Sequence, residues 1–202
     1  MLLSNYLPSH CDTGGLAGLS KQIARTLLNS LPSDALVDIS SDVVVAGPTT
    51  LPYLQREAGE ALRAAITEMG QKPRLVHALR VLPQQYAVFY WYTHGRRCGV
   101  VLAASPGASP HERAIAIDIE NHGDWISVLK NHNWIWRGQA DPPHFNYHGG
   151  NDPDLGREGI RAFQKLWNQH NPNDQILEDG SYGPKTQTRL EASPIEGFDS
   201  SV

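Results

Sequence analysis

Four side chains in this sequence have the types and spacing to bind a metal ion and move a proton. They are His111 and Asp118 in "SPHERAIAID" (109–118), and Asp141 and His144 in "ADPPHF" (140–145). Read as a strand, the first stretch puts Ile115, Ile117 and Ile119 on one face and Ala114, Ala116 and Asp118 on the other. A carboxylate ending such a run either reaches solvent or has a cationic partner, because burying it unpaired costs on the order of several kcal/mol. A straight strand would separate His111 from Asp118 by about 23 Å, at about 3.3 Å per residue. Metal ligands lie about 2 Å from their ion. If the two share an ion, the chain must fold back between Pro110 and Ala114. In the second stretch the two prolines favour polyproline II, with three residues per turn, which aims Asp141 and His144 the same way. Each stretch alone has a plain structural reading: a half-exposed strand with a solvated Asp, and a proline-rich hairpin turn with an incidental His. Combined, two His, one Asp and a spare carboxylate suit zinc with an open position for water. Bound zinc lowers the pKa of water to about 7, and a neighbouring carboxylate takes its proton. That is chemistry for hydrolysing amides or esters.

The elements that must position these groups read as mixed helix and strand. Leu16, Leu19, Ile23, Leu27 and Leu31 mark a helix, and "ALVDIS" and "DVVVAG" read as short strands. A long helix is expected over "TTLPYLQREAGEALRAAITEMG". Thr50 would cap it, Pro52 would sit in its first turn, Leu54, Ala58, Leu62 and Ile66 would form its stripe, and Gly70 would stop it. "RLVHAL" reads as a strand and "PQQYAVFYWYTHG" as a helix whose aromatics pack in the core. "CGVVLAA" is a short apolar run. "GDWISVLKNHN" is expected as a short helix capped by Asp124, and "WIWRG" and "HFNYHG" as a hairpin joined by "QADPP". "HGGNDPDLG" reads as a linker. "EGIRAFQKLWNQHN" reads as a helix burying Ile160, Phe163 and Trp167, followed by a turn and a last short helix beginning at Pro184. Without regular βαβ alternation, the class is α+β.

Composition bounds the partners. The net charge of −4 and pI of about 6.1 argue against nucleic acid or an anionic membrane as the main partner, and Arg96 with Arg97 is too short a basic patch. Cys11 and Cys98 form no CxxC, which excludes a Cys-based zinc or redox site; a disulfide and two free thiols are both compatible with the sequence. No run approaches the roughly 18 apolar residues of a membrane span. The first fifteen residues lack a basic and then apolar leader, so no Sec-type signal is expected.

"SPHERAIAID" resembles the SxHxxGxAxD motif of the zinc D-alanyl-D-alanine carboxypeptidase family, which includes vancomycin-resistance dipeptidases and phage L-alanyl-D-glutamate endopeptidases. Ser109, His111, Ala116 and Asp118 match it, and Asp141 with His144 matches the family's later acidic-x-x-His element. The resemblance implies zinc held by His111, Asp118 and His144, with Asp141 as general base. "LRVLPQQY" resembles the family's upstream Arg motif through Arg80 and Gln85. It implies that Arg80 stabilises the oxyanion or holds a substrate carboxylate, with Gln85 and Ser109 positioning substrate. This sequence departs from the pattern at Ala114, where the family has Gly, and at Leu79 and Val81 beside the Arg.

The resemblance covers roughly residues 35–150. It implies a hedgehog/DD-peptidase-like zinc peptidase core, preceded by a helical extension over 1–34. "AFQKLWN" with "DGSYGPKTQTRL" resembles the DGxxGPxT signature of peptidoglycan-binding helical modules and implies a small wall-binding segment over 154–202; a plain helical extension is the alternative. The expected function is hydrolysis of peptidoglycan stem peptides, by D,D-carboxypeptidase or L,D-endopeptidase action. The alternative is a non-catalytic zinc protein that binds the cell wall or another partner. The target then lies in the periplasm or outside the cell, and a phage lysin or a toxin delivered by a secretion machine fits the expected lack of a signal.

Overall fold

Alternating apolar residues build a five-stranded sheet, and apolar residues at helical spacing build the helices around it. The computed structural model describes residues 1–149 and 154–199; part of the expected linker, 150–153, and the last three residues lie outside them. The helices are α1 (Leu3–Tyr6), α2 (Ala17–Ser30), α3 (Arg56–Met69), α4 (Leu82–Thr93), α5 (His122–Asn131), α6 (Leu155–His170) and α7 (Pro184–Glu191). The strands are β1 (Leu36–Asp38), β2 (Val44–Val45), β3 (Tyr53–Gln55), β4 (Arg74–His77), β5 (Ala116–Ile119), β6 (Trp134–Trp136) and β7 (His144–Tyr147). The expected α+β class holds.

The main sheet has the order β2-β4-β5-β7-β6, with β2 parallel to β4 and the other pairs antiparallel. β1 and β3 form a separate two-stranded ribbon. On one face of the sheet Ile117, Ile119 and Phe145 join Leu62 and Ala65 of α3 and Trp125 and Leu129 of α5 in a buried cluster. This is the period-two pattern read from the sequence: the isoleucines of β5 supply the core, and the opposite face is left for Ala116 and Asp118.

A second apolar cluster joins α1, α2, α4, α6 and α7 through Leu3, Leu19, Ile23, Tyr86, Phe163 and Leu190. The expected extensions 1–34 and 154–202 therefore pack, over their described residues, on each other and on α4, in one helical layer. The chain ends are tied as well: Leu3 N–H donates to the Ser193 carbonyl (3.0 Å) and Ile195 N–H to that of Met1 (2.9 Å). The DGSYGPKT stretch is clasped to α6 by one buried side chain. Gln164 accepts from Gly180 N–H (2.8 Å) and donates to Asp179 Oδ1 (3.0 Å) and Thr186 Oγ1 (3.2 Å). Gly180 has φ +70°, and a Cβ there would meet the Arg157 carbonyl at 2.7 Å, so this turn requires glycine.

Three helix starts differ from the expectation, one of them that of α6, which begins at Leu155 inside the expected linker. Residues 50–55 are not helical: Tyr53–Gln55 is β3, Leu51 bridges Leu79, and Thr50 Oγ1 donates to the Val76 carbonyl (2.7 Å) instead of capping a helix. Strand pairing outcompetes a helical pattern carrying a proline at position 52. α5 begins at His122, so Asp124 lies inside its first turn, where it faces the positive end of the helix dipole. "CGVVLAA" forms no strand; Val101 and Leu102 are 61% and 52% exposed.

Candidate metal centre

The sheet register assembles most of the site. His77 of β4 pairs with Asp118 of β5, and Asp118 pairs with His144 of β7, so three titratable side chains stand in a row across the central strands. His111 arrives from a turn. After Ser109 the chain winds back on itself: Arg113 N–H donates to the Ser109 carbonyl (3.2 Å), Ala114 N–H to that of His111 (3.1 Å) and Ile115 N–H to that of Pro110 (3.1 Å). Ala114 takes φ +54°, a left-handed conformation, and redirects the chain into β5. This is the fold-back that a shared ion requires, located at the position where the family motif has Gly.

His111 Nε2, His144 Nδ1 and Asp118 Oδ1 converge. Their separations are 3.1 Å between the two His, 3.3 Å from His111 to Asp118 and 2.9 Å from His144 to Asp118. Ligands bound at about 2.0–2.1 Å around a tetrahedral ion stand about 3.3 Å apart, so the triangle fits zinc closely. The outer ring nitrogens fix the tautomers. His111 Nδ1 donates to the Ala78 carbonyl (2.9 Å) and His144 Nε2 donates to Asn146 Oδ1 (2.9 Å). Both inward nitrogens are thereby left with lone pairs facing a carboxylate oxygen, and such an arrangement demands a positive charge at its centre. All three residues are buried, and the group could hold a metal ion.

The electrostatics agree. Burial drives the His111 pKa down to about 4, so its ring is neutral at pH 7. Burial also opposes charge on His144 and on Asp118. Their mutual bond reverses this: His144 is held above its usual value, and Asp118, also bonded to His111 and His77, lies well below the carboxylate range. A proton is thus favoured between His144 and Asp118, the same place a metal ion would occupy.

Asp118 divides its oxygens. Oδ1 faces the two His, while Oδ2 meets His77 Nδ1 at 3.1 Å and Arg80 Nη2 at 3.5 Å. Arg80 is mostly but not fully buried, and desolvation lowers its pKa against the charges of Asp118, Glu112 and Asp141; a guanidinium starts high enough to stay charged. Gln85 accepts from Arg80 Nη1 (3.1 Å) and donates to the Ala104 carbonyl (2.8 Å). Both ends of its amide are therefore engaged by the protein, and Gln85 positions Arg80. Ser109 Oγ accepts from His111 N–H (3.3 Å), so its first duty is to hold the His111 turn.

Asp141 and His144 belong to a turn closed by His144 N–H donating to the Asp141 carbonyl (3.1 Å). A turn, in place of the expected polyproline II, brings the two residues together, because pairing of His144 with Asp118 draws the chain round sharply. Asp141 is half-buried; desolvation and the Asp118 charge raise its pKa. A cleft of about 420 Å³ gathers all seven expected site residues: Arg80, Gln85, Ser109, His111, Asp118, Asp141 and His144. Arg137 stands exposed on its rim.

Sequence reasoning missed His77, Asn146 and Glu112. Asn146 lies two residues after His144 and therefore on the same strand face. Glu112 was visible as the fourth residue of an S-x-x-E capping box: its Oε2 accepts from Ser109 N–H (3.2 Å) and Gly107 N–H (2.8 Å). His77 gave no signal beyond its place in a strand, since only the register brings it to Asp118. Comparisons with protein-family models, with curated proteins and with solved structures found no match for this chain.

Proposed function

We propose that this protein is a zinc-dependent peptidase that hydrolyses peptide bonds in peptidoglycan stem peptides. The observation that carries the reading is the convergence of two His lone pairs and one carboxylate oxygen, with tautomers set from outside, beside a further carboxylate in an open cleft. The donor set N, N, O is that of a catalytic zinc site with one position left for water. The motif resemblance of residues 109–118 and 141–144 supplies the substrate class.

His111, Asp118 and His144 would hold the zinc, which when bound would supply a Lewis acid and lower the pKa of water. Asp141 would serve as the proton carrier, accepting a proton from the attacking water and delivering it to the leaving amine, a role suited to a carboxylate with a raised pKa. Arg80, fixed by Gln85 and Asp118, would place its guanidinium charge near the carbonyl oxygen, which becomes negative as water adds to the carbonyl carbon. Arg137, at the rim, is the cation available to a substrate carboxylate. A wall-binding role for residues 154–199 belongs to the same proposal.

The test is digestion of purified muropeptides and a stem pentapeptide, with products identified by mass spectrometry. Zinc-loaded wild type releases D-Ala or a dipeptide, or cuts between L-Ala and D-Glu, and the product decides between carboxypeptidase and endopeptidase. Asp141→Ala keeps its zinc and loses about 10²–10⁴-fold in rate. Zinc-loaded wild type that yields no product sinks the enzyme reading; retention on purified cell-wall sacculi would then identify a binding protein.

A further inference from the structure

One wall of the cleft is made by residues 100–104, a segment that follows a short 3-10 turn (Arg97–Gly99) and belongs to no helix or strand. Among the described residues, no protein group bonds the backbone N–H or C=O of Val101, Leu102 or Ala103. The side chains of Val101 and Leu102 stand largely in solvent. A run of unpaired peptide groups along a cleft is a template for another extended chain, which binds through main-chain hydrogen bonds as an added strand.

The segment is held at its two ends. At one end the Ala104 carbonyl accepts from Gln85, the same side chain that fixes Arg80. At the other end Cys98 forms a disulfide with Cys11. The turn between α4 and the segment is conformationally costly: Gly95, Arg96, Cys98 and Gly99 all have positive φ, two of them without being glycine. Non-glycine residues persist in such conformations only where the surroundings over-determine them. The disulfide to the N-terminal segment, with Arg97 donating to the Pro8 carbonyl, supplies that constraint.

We infer that residues 100–104 are the peptide-docking edge of the cleft, taking an extended peptide by main-chain hydrogen bonds, and that the Cys11–Cys98 disulfide holds this edge in register with the candidate metal-binding residues. The inference rests on the proposed peptidase reading for its ligand, a stem pentapeptide. Ala103, Ala104 and Ala140 line the same cleft and leave room beside the docked backbone.

Hydrogen exchange of the backbone amides, followed with and without the stem pentapeptide, tests it on the zinc-loaded full chain. Exchange at one or two of Val101, Leu102 and Ala103 slows at least about tenfold, alternate amides responding because successive peptide groups of a strand point opposite ways. Leu102→Pro, which removes one N–H, and the double variant Cys11→Ser/Cys98→Ser both keep zinc at one per chain. Each raises KM about tenfold, with kcat changed less than KM. Peptide cleavage without protection of any of the three amides overturns the inference and leaves the peptidase reading standing. Protection without cleavage does the reverse, and neither effect overturns both. A KM unmoved in both variants also overturns the docking edge.

Discussion

The two walls of the cleft are built on opposite principles. The wall that carries the candidate metal group is set by sheet register: Asp118 and His144 face each other because β5 and β7 pair, and a one-residue slip of either strand would send its own member of the pair to the other face. The opposite wall, residues 100–104, has no ladder; a disulfide and one Gln85 hydrogen bond hold it. The difference divides labour. Ligands of an ion must stay within a few tenths of an ångström, which a packed sheet provides. A wall that accepts peptides must present free backbone groups, which a packed sheet consumes.

Removing the ion breaks the first wall and gives the largest effect. An ion present at about a thousand times its Kd stabilises the fold by about 4 kcal/mol. At about 2–4 °C per kcal/mol for a chain of this size, dialysis against a chelator lowers the Tm by about 8–16 °C. Readdition of zinc restores it. His144→Ala behaves as the stripped protein does and gains nothing from zinc. A calorimetric scan that shows no shift on chelation would mean that the three residues are paired through a proton alone.

Breaking the second wall separates the two. The disulfide closes a loop of 87 residues, so Cys11→Ser/Cys98→Ser costs about 2–4 kcal/mol. Zinc affinity stays within about threefold, because neither the β5–β7 register nor the 109–114 turn touches the disulfide. Limited proteolysis then cuts first between residues 96 and 104. Simultaneous loss of zinc and of the disulfide-held wall would show that the walls are one cooperative unit and remove the distinction drawn above.

His111 occupies middle ground: it is a candidate ligand carried by a turn, and Glu112 holds that turn through two backbone N–H groups. Burial raises the Glu112 pKa to about 7, against about 4.5 in the unfolded chain. The folded state binds the extra proton, so this stabilisation is full below about pH 4.5 and is lost as pH rises through about 7, by up to about 3 kcal/mol. Glu112→Gln keeps an acceptor and removes the charge. Urea titrations between pH 4.5 and 8 are expected to show a flatter profile for Glu112→Gln than for wild type. Identical profiles would assign the pH dependence to other groups.

Much of the sheet half was legible in the residues, for a physical reason. Ile117 and Asp118 alternate across a strand, and the short D-P-P-H spacing keeps Asp141 close to His144. Both are local patterns, and they mark the candidate ligands, although the second is realised as a turn in place of the expected polyproline II. The S-x-x-E box at Ser109 and Glu112 was equally local and went unread. His77 was illegible, since its partner lies 41 residues away and only strand pairing joins them. The disulfide was illegible for the same reason. The start of α3 was misjudged because a helical stripe over 54–66 is real but its first turn is claimed by β3, a tertiary demand that local periodicity does not contain.

The smallest expected effect concerns Ala114, and its smallness is informative. The residue is fully buried, with φ +54°, and its carbonyl accepts from Gln55 N–H (2.9 Å). Left-handed backbone costs a non-glycine residue about 1–2 kcal/mol, which Ala114→Gly would relieve. Against this stand the greater freedom of glycine in the unfolded chain, about 0.5–1 kcal/mol, and one buried methyl, about 0.8 kcal/mol. The sum lies within about 1 kcal/mol of zero, and zinc affinity should not change. Ala114→Val adds bulk in a full core and a β-branched side chain at positive φ, and should cost about 3 kcal/mol or more together with a loss of zinc affinity. If denaturant titration shows Ala114→Gly losing more than about 2 kcal/mol, methyl packing and not backbone conformation fixes the fold-back that delivers His111 to the sheet. A near-neutral result instead explains how alanine is tolerated at this left-handed position: the methyl offsets the strain it creates.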